Sequence, residues 1–158
     1  ALSSAASDVY KRQIDYVGHM TDTWLILPYE NLFGKLQDKE SRRKYYFTDN
    51  GLLHLFLVDA NTSLLENLVA ITLRRQYGDG SYFWNSKNAE VDFVVPEEEL
   101  AIQVSYSMAD AETFGLIRVA SVQRLKRMVV VTKDEENVVE KDGYRIEILP
   151  LWKWLLEY

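Results

Sequence analysis

Two hydrophobic periods divide the chain. Ile14, Val17 and Met20 recur at three-residue spacing and predict the end of a helix over Ile14–Thr21. Two β-rich runs follow, Trp24–Tyr29 and Lys44–Thr48, and the charged stretch Gly34–Arg43 between them makes a hairpin. Asp49-Asn50-Gly51 opens a second helix, Leu52–Leu57. Thr62 or Ser63 then supplies the N-cap of a longer helix, Leu64–Gln76, which has Glu66 in its first turn. Tyr77-Gly78-Asp79-Gly80 ends that helix.

Downstream the period shortens to two. Strands are predicted at Tyr82–Trp84, Ala89–Val95 and Leu100–Tyr106, separated by Ser86-Lys87-Asn88 and by Pro96-Glu97-Glu98-Glu99. A helix over Asp110–Lys126 has its weak point at Gly115. Met128–Thr132 is apolar almost throughout, which suits a central strand buried on both faces. Lys133–Lys141 reads as a solvated loop, and Asp142-Gly143 as the turn into a strand over Tyr144–Leu149. Pro150 starts a closing amphipathic helix with Leu151, Trp152, Leu155 and Leu156. From Leu64 the order α-β-β-β-α-β-β-α predicts an α/β fold with a mixed sheet flanked by helices.

Composition narrows the chemistry. A chain of 158 residues suits one ordinary domain or two very small ones. The absence of Cys excludes disulfides, zinc knuckles, iron–sulfur clusters and thiol catalysis. His19 and His54 have no partner at metal-ligand spacing. No apolar run reaches the ~18–20 residues of a membrane span, so no membrane association is expected, and the expected location is cytoplasmic. With a net charge of −6, any contact with DNA must be local. Lys39, Arg42, Arg43 and Lys44 at the hairpin tip are the candidates for phosphate contact, against a plain solvated tip shared with Asp38 and Glu40. Arg118, Arg124, Lys126 and Arg127 read as a wet face. The segment Asp8–Gln13 reads as the in-frame translation of a transposase sequencing adapter. On that reading residues 1–13 are an artefact, the natural sequence starts near Ile14, and whatever preceded Ile14 is missing.

Candidate chemistry centres on Glu66, Asp92 and Gln103. Strict alternation puts Val91, Phe93 and Val95 on one face and Glu90, Asp92 and Val94 on the other. Pairing with the next strand then lines Asp92 up with Gln103 and Ser105 on one polar strip. Glu66 lies at the edge of its helix's apolar face. Paired carboxylates of this kind are what a phosphodiesterase uses to hold Mg²⁺, which orients and acidifies a water. The usual companion lysine is absent two residues after Gln103, where Ser105 stands, and Lys87 is the candidate substitute. Gln103 itself brings no charge.

Leu64-Leu65-Glu66-Asn67-Leu68-Val69, Tyr82-Phe83-Trp84, Ala89-Glu90-Val91-Asp92-Phe93-Val94-Val95 and Ala101-Ile102-Gln103-Val104-Ser105 together resemble domain-of-unknown-function family 4143. Upstream, Lys44-Tyr45-Tyr46-Phe47-Thr48-Asp49-Asn50-Gly51 resembles that family's approach to the domain. The resemblance implies a C-terminal domain that follows a P-loop AAA-type ATPase domain and has a restriction-endonuclease-like, PD-(D/E)XK fold. By position, Glu66 matches the helix carboxylate, Asp92 the strand acid, and Gln103-Val104-Ser105 the (E/D)-X-K motif, with both informative residues altered. The domain reading is a partial winged-helix-like segment over 14–61 and a nuclease-like α/β domain over 62–158. The implied function is a catalytically degenerate module that binds nucleic acid or a protein partner. The missing ATPase domain acts in cis and binds the ATP, and this chain carries no cofactor of its own. The alternatives are an active Mg²⁺-dependent DNA nuclease, with Glu66 and Asp92 as metal ligands and a displaced lysine, or a structural oligomerisation domain.

Overall fold

A computed structural model describes residues 2–33, 43–57, 61–109 and 111–158, with side chains from Asp8 onward. Helix α1 (Leu2–Asp22) leads into strand β1 (Ile26–Tyr29), which pairs antiparallel with β2 (Lys44–Phe47) from Ile26↔Phe47 to Tyr29↔Lys44. Helix α2 (Asn50–Phe56) starts where Asp49, as N-cap, accepts the Gly51 N–H at 2.6 Å. Helix α3 (Asn61–Tyr77) starts earlier than its side chains suggest. Thr62 and Ser63 lie inside its first turn and are not its caps, and Glu66 sits in the second turn.

Strands β3 (Tyr82–Ser86), β4 (Ala89–Val95) and β5 (Leu100–Val104) form an antiparallel meander. Helix α4 (Phe114–Gln123) crosses to β6 (Arg127–Thr132), which runs parallel to β5. Then come β7 (Asn137–Lys141), β8 (Tyr144–Pro150) and the short α5 (Leu151–Leu155). Sheet order is β3-β4-β5-β6-β8-β7, with β5, β6 and β8 mutually parallel in sequence, so the fold is mixed α/β as expected. The central position expected for Met128–Thr132 is the one β6 occupies.

Strand β7 corrects the loop expected over Lys133–Lys141. It is an edge strand paired with β8 from Asn137↔Ile148 to Lys141↔Tyr144, and four of its five residues are exposed. An edge strand with wet faces carries no alternation for sequence reading to find, and its charges discourage pairing with another chain. The β7–β8 turn falls on Asp142 (φ 53°) and Gly143 (φ 80°), the two left-handed positions that a tight hairpin turn requires.

The sheet buries both faces. Trp84, Val91, Val94, Ala101, Met128, Val130, Ile146 and Ile148 pack under Leu116, Val119 and Ala120 of α4. Gly115 allows this contact, because a Cβ there would lie 2.2 Å from the Glu90 carbonyl oxygen. The opposite face joins Phe93, Val95, Ile102, Val104, Val129 and Val131 to Val69 and Leu73 of α3 and to Trp154 of α5. Leu27, Tyr29 and Tyr46 of the β1–β2 hairpin belong to this same cluster. Tyr29 donates its hydroxyl proton to the Ala70 carbonyl at 2.7 Å, and Arg74 reaches the Pro28 carbonyl and stacks over the Tyr29 ring. The hairpin is therefore bound to α3 through both polar and apolar contacts.

Candidate functional site: an ionic cluster between hairpin, helix and sheet

Position along β4 is the first determinant. Tyr82 pairs with Val94 and Trp84 with Val91, so Asp92 and Phe93 together face the single residue Phe83. This is a β-bulge, and it breaks the expected alternation. Val91 and Val94 share the α4-side cluster, while Phe93 and Val95 lie on the α3 side. Phe83 gives its backbone groups to the chain after β1, accepting from Leu32 N–H at 2.9 Å and donating to the Glu30 carbonyl at 3.0 Å. The bulge directs Asp92 toward Glu66 of α3.

From β2, Lys44 and Tyr46 project to the same side, and Asn67 fixes that strand. Its side chain accepts the Phe47 N–H at 2.8 Å and donates to the Phe47 carbonyl at 3.0 Å. Lys44 Nζ lies 2.5 Å from Glu90 Oε1, 3.2 Å from Asp92 Oδ1 and 3.4 Å from Glu66 Oε1. The Tyr46 hydroxyl donates to Glu66 Oε1 at 2.6 Å. The second oxygen of Asp92 accepts the Val104 N–H at 2.9 Å and the Gln103 amide at 2.7 Å. The Gln103 Oε1 atom is buried and finds no donor among the described residues. A cleft of about 310 Å³ adjoins the cluster between α2, β2 and α3, lined by Tyr46, Leu53, Ser63, Glu66 and Asn67 among others.

Three carboxylates around one ammonium leave a local formal charge of −2. Burial, reinforced by the Glu66 charge, lifts the Asp92 carboxyl to about 6 despite Lys44 and the Val104 N–H. Burial alone would lower the Lys44 ammonium, but attraction from Asp92, Glu66 and Glu90 outweighs it and the pKa is raised. Burial and then the Glu66 charge push the Tyr46 hydroxyl up, so it remains a donor.

The cluster thus brings together Glu66, Asp92 and Gln103 from the sequence-derived candidates. It does not include the others. Ser105 is buried, and its hydroxyl donates to the Ser107 carbonyl at 2.8 Å while its N–H extends the ladder to Val131. Lys87 stands exposed in the β3–β4 turn. Lys44, expected at a hairpin tip facing phosphate, is instead the centre of the acidic cluster, because its position in β2 faces α3 and β4. Arg43 pairs with Glu30 at 3.2 Å, and Lys39 and Arg42 lie outside the described residues. Sequence reasoning missed Lys44, Tyr46 and Glu90 as members. Their only local signal is the Lys44/Tyr46 alternation in β2, which names a shared face but not what that face meets.

Fold and cluster define an α/β protein whose mixed sheet presents a strand acid from a bulge to a helix acid across a lysine. The model of the family described as Domain of unknown function (DUF4143) matches residues 61–154, and the chain belongs to that family. The chain is also similar, at 27% identity, to an uncharacterized protein of Methanocaldococcus jannaschii. That match takes in 91% of this chain and 36% of the relative, so the chain spans about a third of the length of the curated relative it matches. Among the described residues no helix is long and apolar enough to cross a membrane.

Proposed function

We propose that this chain is a nuclease-like module of the restriction-endonuclease type whose phosphodiester chemistry has been lost, and that it serves a larger AAA-type ATP-binding protein by binding nucleic acid or a protein partner. The observation that carries this reading is the orientation of Gln103. At the position where the motif has an acid, its amide nitrogen donates to Asp92 at 2.7 Å. The Asp92 oxygen is then held by two N–H donors, and no carboxylate from β5 joins the site. The Glu66–Asp92 convergence and the bulge support descent from a hydrolytic arrangement. Among the described residues, the upstream order of α1, the antiparallel β1–β2 pair and α2 supports the partial winged-helix-like reading of that segment.

Incubation of the protein with supercoiled plasmid and Mg²⁺ or Mn²⁺ tests this directly. The plasmid should stay intact, and cleavage that disappears in Asp92→Ala overturns the reading. A second reading, an active Mg²⁺-dependent nuclease, is favoured by Lys44, whose ammonium lies 3.2 Å from Asp92, where a displaced catalytic lysine would polarise a phosphate. The same assay on Lys44→Ala separates the two. Gel shift with Arg42 and Arg43 both changed to Ala tests nucleic acid as the partner. Retention unchanged by that pair rejects the hairpin contact.

A further inference from the structure

A divalent cation such as Mg²⁺ needs several open oxygens in near-octahedral arrangement. The residues here do not fit one. Asp92 has Oδ2 occupied by the Val104 and Gln103 N–H groups and Oδ1 facing the Lys44 ammonium. Glu66 Oε1 accepts the Tyr46 hydroxyl, and Glu90 Oε2 accepts the Asn85 amide at 2.8 Å. Gln103, which would offer its amide oxygen to a metal, turns its nitrogen to Asp92 instead. Among the described residues no group of three or more His, Asp or Glu side chains is arranged to hold a metal ion.

We infer that Lys44 is an internal counter-cation that holds, from β2, the place a divalent cation would take among Glu66, Glu90 and Asp92, so that the cluster is complete without metal. Two features make the ammonium a fixed part of the fold. Its strand is clamped on one side by the Tyr29↔Lys44 register and on the other by the double Asn67–Phe47 hydrogen bond. Its head lies 5.8 Å from the Phe83 ring centroid, against the residue that faces the bulge. One side chain thus ties the hairpin to α3 and to the sheet at the point where three carboxylates would otherwise repel each other. A tethered ammonium differs from a metal ion in one respect. It cannot be removed by chelation, so the union of hairpin and sheet does not depend on the cation supply.

This inference rests on the degenerate-site reading, and Mn²⁺ is the probe that separates the two. Wild-type protein, Lys44→Met, Lys44→Arg and Asp92→Asn are titrated with Mn²⁺ by electron paramagnetic resonance, and each is melted with EDTA or Mn²⁺. Wild type and Lys44→Arg should take up no stoichiometric Mn²⁺ and melt identically in both. Lys44→Met should gain Mn²⁺ affinity at least about tenfold and melt higher with Mn²⁺ than with EDTA. Saturable Mn²⁺ uptake by the wild type that Asp92→Asn abolishes overturns the inference even if Lys44→Met does not fold. A folded Lys44→Met with no gain overturns it as well. Mn²⁺ uptake without plasmid cleavage defeats the counter-cation alone, whereas cleavage defeats the proposed function.

Discussion

The two faces of the six-stranded sheet are closed by different physics. Under α4 the packing is apolar and close, and strands and helix meet at Gly115 with no room for a methyl group. Under α3 an equally apolar floor of Phe93, Val95 and Ile102 ends at an ionic cluster shared by three separate elements. The first face depends on shape, so any added atom is felt. The second depends on charge balance, so it responds to pH and to the loss of a single ammonium.

The largest effect is expected on the shape-limited face. Gly115→Ala forces the Cβ into the Glu90 carbonyl, 2.2 Å away, and should cost about 3 kcal/mol, the upper end for overpacking, measured by urea denaturation. On the charge-limited face, Lys44→Met leaves Asp92 and Glu66 without their cation. The expected loss is about 2 kcal/mol near neutral pH, less than for a fully buried pair because Lys44 keeps 26% of its side chain exposed. Lys44→Arg, which keeps the charge, should recover most of it in the same titration.

A pH series sharpens the contrast. Asp92 is raised from 3.8 to about 6 in the folded state, so folding takes up a proton between those values. Its contribution to stability is full below 3.8 and is lost as pH rises through about 6. Asp92→Asn should flatten that part of the profile by about 3 kcal/mol between acid and neutral pH, read as the wild-type-minus-variant difference in urea midpoints. A wild-type profile that runs parallel to that of Asp92→Asn would contradict the buried acid. The smallest effect is expected at Lys87, exposed in the β3–β4 turn. Lys87→Ala should change stability by less than about 0.5 kcal/mol and leave the pH profile as it was, whereas an altered profile would bring Lys87 into the cluster.

Much of the fold was legible along the chain because burial leaves a periodic trace. The apolar run of β6, the Asp142-Gly143 turn and the helix opened by Asp49-Asn50-Gly51 each follow from local composition, and each is in place, the helix beginning at Asn50 rather than Leu52. Strand β7 was not legible, since an exposed edge strand looks like a charged loop. The start of α3 was missed because Thr62 and Ser63 are good caps that the helix simply runs past. In the site, Glu66, Asp92 and Gln103 were found by spacing, but the reason they meet was not. A two-residue period would place Asp92 with Val94, and only the bulge opposite Phe83 turns it toward α3.

The sequence by itself determined the class of fold, the buried strands and two carboxylates, Glu66 and Asp92, with Ser105 rather than a lysine two residues after Gln103. Only the tertiary structure decided where a lysine would come from. Lys44 is 22 residues from Glu66 and 48 from Asp92, and no local pattern encodes which face of a hairpin will meet which face of a sheet. That choice is made by packing Leu27, Tyr29 and Tyr46 into the α3-side core, and the position of the ammonium follows from it.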